Sequence, residues 1–248
     1  MYRAVLTGTA AVALAVAACG SVTATPSITE QLPMEEPTMT AQSASPGEWQ
    51  VLFEGAATDA LRGYGMDGFP ADRWVIEDGE LRTVPGSGID LVTRDTFGDF
   101  ELEFEWRVAP GGNSGVIYRV VETAQPAWAT GPEYQVLDDE QHPDGREPTT
   151  SAGALYDLIA PATNKRLEPV GSFNRGRIVV RDGRVEHWLN GELVVTFGWD
   201  DPAVRDVVAA SKFAEFEGFM AAESGHIVFQ YHGEEAAFRD IRIRSLGP

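Results

Sequence analysis

At 248 residues the chain holds one domain with a substantial core, and is too short for several large ones. Its 38 acidic residues against 19 Lys and Arg give a formal net charge of −19, a balance that argues strongly against nucleic acid and anionic lipid surfaces as binding partners. With 43% hydrophobic and 10% aromatic residues and a single cysteine, that core has to hold without a disulfide.

Residues 1–18 read as an export signal. Arg3 supplies a positive start, and the apolar run from Ala4 to Ala18 is too short to span a bilayer. The run ends Val16-Ala17-Ala18-Cys19-Gly20, which resembles the lipobox of bacterial lipoproteins and makes Cys19 the expected lipidation site. Removing Arg3 with the leader leaves 18 basic against 38 acidic residues. Residues 19–47 are rich in Ser, Thr and Pro, have no aromatic side chain, and cannot offset their ordering entropy by burial. They read as a disordered tether of up to about 90–100 Å when extended. The expected location is therefore the cell envelope, exported and held by the lipid alone, in the periplasm, at the outer membrane or at the outer surface.

Residues 48–248 form the domain, and their pattern is β throughout. Short strands are expected at Trp49–Phe53, Trp74–Glu77, Glu80–Val84 and Leu91–Thr93, with Asp78-Gly79 as a tight hairpin turn. Phe100–Val108 alternates cleanly, placing Leu102, Phe104, Trp106 and Val108 on one face and Glu101, Glu103 and Glu105 on the other. Three like charges on one face call for solvent, a metal, or a basic neighbour such as Arg119 or Arg177. Pro110–Gly115 reads as a turn leading into Val116–Val121, and Gly153–Asp157 as extended. Asp182-Gly183 and Asn190-Gly191 mark two hairpins linking Arg177–Val180, Arg184–Leu189 and Glu192–Phe197. Asp201 to about Glu217 reads as the one short helical insertion, before closing strands at Gly225–His232 and Ala237–Leu246. Strands at this spacing with one helix predict an all-β sandwich or jelly roll of antiparallel sheets.

The stretch Glu133-Tyr134-Gln135-Val136-Leu137-Asp138 brings two carboxylates and a carboxamide into six residues. On a strand Glu133 and Gln135 share a face, whereas Asp138 has the opposite parity unless a bulge or the strand end re-aims it. An acid and an amide aimed into a cleft suit acid/base chemistry on a sugar; the same pattern also fits the polar outer face of a sheet.

Together with Leu52-Phe53, Gly98-Asp99-Phe100-Glu101-Leu102, Asn113-Ser114-Gly115, Gly153-Ala154-Leu155-Tyr156, Asn190-Gly191, Gln230-Tyr231-His232-Gly233 and Phe238-Arg239-Asp240-Ile241, this stretch resembles the 3-keto-disaccharide hydrolase family over roughly residues 48–247. The resemblance implies a concanavalin-like jelly-roll β-sandwich with a sugar-binding sheet. It also implies cleavage of glycosides already oxidised to a ketone at C3, by elimination and hydration. Glu133 is then the expected base, with His232 as acid, enolate stabiliser or metal ligand, and Asp138 placing a metal or polarising a histidine. Gln135, Asn113, Arg119, Trp128 and Gln230 are the expected substrate contacts. Glu133, Asp138 and His232 could hold a hard divalent cation, although Tyr231 stands where relatives often carry Asp, and no spaced zinc signature is present. Trp188 is expected in the core with His187 on the opposite face, and His142 and His226 are given no role. The rival readings are a non-catalytic carbohydrate-binding module and a structural envelope protein.

Overall fold

The computed structural model describes residues 47–86 and 88–247, so the leader, Cys19 and all of the expected tether but Gly47 lie outside the described residues. The chain runs β1 (Gln50–Phe53), β2 (Leu61–Gly63), β3 (Trp74–Glu77), β4 (Glu80–Thr83), β5 (Leu91–Thr93), β6 (Phe100–Val108) and β7 (Asn113–Val120). It continues with β8 (Glu133–Leu137), β9 (Asn174–Arg181), β10 (Arg184–Leu189), β11 (Glu192–Gly198), α1 (Pro202–Ala210), β12 (His226–Phe229) and β13 (Ala236–Ser245). These strands form two antiparallel sheets packed face to face as a jelly roll. The larger has eight strands in the order β11-β10-β9-β6-β13-β4-β3, with β1 joining β13 beside residues 241–243. The smaller has five, β2-β5-β12-β7-β8.

Each hairpin expected from its turn dipeptide is present. Asp78, Asp182 and Asn190 take φ of 54°, 49° and 51°, and each is followed by a glycine at positive φ, the pairing that matches strand twist. Asp201 caps α1 by accepting the Ala203 N–H at 2.9 Å, and Pro202 occupies the first turn, where no N–H is needed. Two boundaries differ from expectation. Asn113-Ser114-Gly115 already belongs to β7, paired with Leu137, Val136 and Gln135. Residues 153–157 form no strand and mostly turn, but they run along β8, bridging Leu155 to Tyr134 and placing the Gly153 and Tyr156 N–H groups on the Gln135 and Glu133 carbonyls.

Between the sheets lies a core of large side chains. Phe104 of β6 meets Tyr134 of β8 edge-on with centroids 5.5 Å apart, and Phe238 packs 5.2 Å from Phe229 across the same gap. Truncating any one of these rings to Ala costs about 3–5 kcal/mol. His187 also sits here, fully buried, which reverses the expected orientation of β10. Its Nδ1–H donates to the Gly153 carbonyl at 3.2 Å, and its Nε2 accepts the Tyr118 hydroxyl at 2.9 Å. With both nitrogens satisfied, desolvation pushes its pKa down to about 4 and the ring stays neutral. Trp188 points outward instead, with the Arg177 guanidinium 5.0 Å from its ring and its indole N–H on Glu186.

The acidic face of β6 is paired by neighbours on both sides. Glu101 accepts from Arg177 of β9 at 2.6 Å and from Arg244 of β13, Glu103 from Arg242, and Glu105 from Arg239 and Arg175. Arg177 is one of the two partners expected from the sequence. Arg119 is not: it stacks on Trp199 at 4.4 Å and bonds Gly98 and Asp99.

Candidate functional site

The site is built on the outer face of the five-stranded sheet. β8 turns Glu133 and Gln135 to that face, and β7 lies antiparallel with Gly115 opposite Gln135 and Ile117 opposite Glu133. Gly115 leaves room for the Glu133 carboxyl group, which a Cβ there would overlap and push aside. The Glu133 carboxyl takes up that space and lines a hollow of about 160 Å³ that it shares with side chains of β7, β8 and the segment after β12.

Five expected residues meet in it with Glu133: Gln135, Asn113, Trp128, Gln230 and His232. The Gln230 amide donates to Glu133 Oε2 at 3.3 Å. Gln135 donates its own N–H to the Thr150 carbonyl at 3.0 Å, yet its Oε1 is buried without a partner, and so is Oδ1 of Asn113. Two buried acceptors with no protein donor cost free energy unless water or a ligand supplies one. Sugar hydroxyls do so. Trp128 stands half-buried at the side, braced edge-on by Phe216 at 5.2 Å. His232 lies at the exposed rim, its Nδ1 on Glu234 at 3.1 Å.

Burial is the main reason that the Glu133 pKa rises to about 8, and the charge of Asp90 adds to it, against smaller opposing effects from Lys212 and the Gln230 bond. Asp90 is itself raised to about 6 by desolvation, although the Tyr231 N–H donates to it at 2.8 Å. Glu133 therefore holds its proton at neutral pH and is a strong base once it has lost it.

Two expected site residues do not arrive. Asp138 is buried with its carboxylate on backbone amides, accepting from Gly111 at 2.7 Å and from Glu140 at 3.0 Å. β8 ends at Leu137, so the side chain closes the loop rather than joining Glu133, and the cation set of Glu133, Asp138 and His232 falls with it. Arg119 sits at φ 53° near the end of β7, where strand parity fails, and is held under Gly98 and Asp99. In their place come residues that the sequence left unassigned. Tyr156 of the Gly-Ala-Leu-Tyr motif lines the hollow, as do Lys212 and Phe213 from the turn after α1. Lys212 rides 4.4 Å over the Tyr156 ring and pairs with Asp157 at 3.4 Å. The motif was the one available signal for Tyr156; Asp90, Lys212 and Phe213 carried none.

A family model described as a 3-keto-alpha-glucoside-1,2-lyase-like domain matches residues 48–244. The chain belongs to this family. A relative within reach is a 3-keto-disaccharide hydrolase of Bacteroides thetaiotaomicron, 34% identical over 226 residues that span 79% of this chain and 77% of the relative. Among solved structures, two from Parabacteroides distasonis, both provisionally assigned as glycosyl hydrolases, are similar. One aligns at TM-score 0.73 with 28% identity, covering 80% of this chain and 94% of that one. The other aligns at 0.65 with 26% identity, covering 80% and all of that chain. Both likenesses extend over the sandwich that carries the hollow.

Proposed function

We propose that this protein cleaves glycosides whose C3 hydroxyl has been oxidised to a ketone. The observation that carries the reading is the convergence of Glu133, two unpartnered amide oxygens and His232 on one hollow in a member of this family.

A C3 ketone acidifies the C2–H bond. Ionised Glu133 removes that proton, and the electron pair moves into the carbonyl to give an enolate. Collapse of the enolate expels the C1 oxygen, which takes up a proton as an alcohol and leaves an enone. Water then adds at C1, and Glu133 returns its proton to C2, so the net change is hydrolysis. Asn113 and Gln135 accept hydroxyl protons and fix the ring, Trp128 offers an apolar face to sugar C–H groups, and His232 stands at the rim where the oxygens carry charge.

The test is turnover of a 3-keto-glucoside. Glu133→Gln should lower kcat by about 10²–10⁴-fold, and the wild-type rate should climb as pH rises toward about 8, where Glu133 empties. Binding without turnover would make the domain a carbohydrate-binding module instead. A rate that falls over the same pH range would make Glu133 the acid rather than the base.

The leader and Cys19 support a second part of the reading: the domain works outside the cytoplasm on a lipid tether. Cys19→Ala should move the protein from the membrane fraction to the soluble one.

A further inference from the structure

We propose that His142, His232 and Glu234 bind one divalent cation of the zinc and cobalt class at the rim of the Glu133 hollow. The proposal rests on the keto-sugar reading for its purpose but not for its chemistry.

Three donors from two separated segments meet here. His142 opens the Pro143–Arg146 turn after β8, while His232 and Glu234 follow β12, and one ligand atom from each lies within 4.8 Å of the others. An ion with bonds of about 2.0–2.1 Å in tetrahedral geometry places its donors about 3.4 Å apart. The three donors therefore have to draw together to hold an ion. His232 and Glu234 can rotate, with side chains 45% and 39% exposed. Two imidazoles and a carboxylate suit zinc and its neighbours rather than calcium or magnesium. Three protein donors leave a position open, as catalytic rather than structural sites do.

Surrounding charge favours a cation. Asp90 interacts electrostatically with His232, and Asp144 lies two residues from His142. The His232 Nδ1 and the nearest Glu234 oxygen already lie 3.1 Å apart, close to the spacing of two donors on one ion. His142 is where the site has to yield, because its Nδ1 now accepts the Asp144 N–H at 3.1 Å. Ligation through Nε2 moves the ring proton onto Nδ1 and breaks that bond; ligation through Nδ1 replaces it. In both cases the 143–146 turn loosens. An ion here, beside His232 at the mouth of the hollow, would face the ketone oxygen and stabilise the enolate that Glu133 creates.

Cobalt(II) titration of the metal-free protein, followed by visible absorption and by calorimetry with zinc, tests this. Wild type should bind one ion per chain with a tetrahedral cobalt spectrum, and hydrogen exchange should quicken at residues 143–146. His142→Ala and His232→Ala should each weaken binding by about tenfold or more. His232 is exposed, so its variant tests the site even if the His142 variant folds poorly. Glu133→Gln should bind the ion as wild type does. Absence of saturable uptake, or uptake unchanged in His232→Ala, overturns the site. Saturable binding through both histidines in a protein that leaves 3-keto-glucosides untouched would uphold the site and overturn the keto-sugar reading alone.

Discussion

Both sheets carry polar side chains on their outer faces and treat them in opposite ways. Outside the eight-stranded sheet, Glu101, Glu103 and Glu105 stand between rows of arginines, and each carboxylate has its guanidinium. Outside the five-stranded sheet, Asn113 and Gln135 each bury an oxygen with no donor, and Glu133 is stripped of water without a cation in contact. The first arrangement is complete and asks for nothing. The second leaves acceptors for water or a ligand to fill, and the glycoside reading depends on that difference.

The comparison can be broken most sharply at Gly115. Gly115→Ala should displace the Glu133 carboxyl and lower kcat/KM by about 100-fold, because misplacing a reacting group by about 1 Å costs that much. If activity survives, the fit between these two residues is not what holds the base.

A second test separates the faces by pH. Glu133 binds its proton more tightly folded, near 8, than unfolded, near 4.5. Its contribution to stability is thus full below about 4.5 and is lost as pH rises through 8. The melting temperature of wild type should therefore fall relative to Glu133→Gln over that range. Parallel curves would mean that Glu133 is more solvated than its burial implies.

The smallest effects belong to the paired face. Glu101→Gln leaves Arg177 and Arg244 facing an amide and should cost about 1–3 kcal/mol in denaturant unfolding, with kcat unchanged. Glu103→Gln, on an exposed pair, should cost under about 1 kcal/mol. A catalytic defect in either would join two faces that are here kept apart.

How far the site was legible follows from how local its signals are. Glu133 and Gln135 were readable because strand parity links positions two apart, and β8 runs straight through both. Parity stopped working at strand ends: Asp138 falls one residue past β8 and reaches back to amides, and Arg119 turns at positive φ. On β10 the alternation was right but its sense was not. A histidine with two partners can be buried more easily than an indole that already has an arginine and a glutamate outside. Hairpins, by contrast, announced themselves in adjacent residues. Asp90, His142, Lys212 and Phe213 come to the site from separate segments, so nothing in their own neighbourhoods marked them.

The helical insertion gives the hollow a roof that is independent of its floor. Acid, amides and glycine all ride on paired strands, but Lys212 and Phe213 belong to a single excursion between β11 and β12. Exchanging that excursion for a shorter or bulkier one would reshape the hollow while Glu133, Gln135, Asn113 and Gly115 stay where they are. A fold partitioned in this way lets selectivity drift without disturbing reactivity.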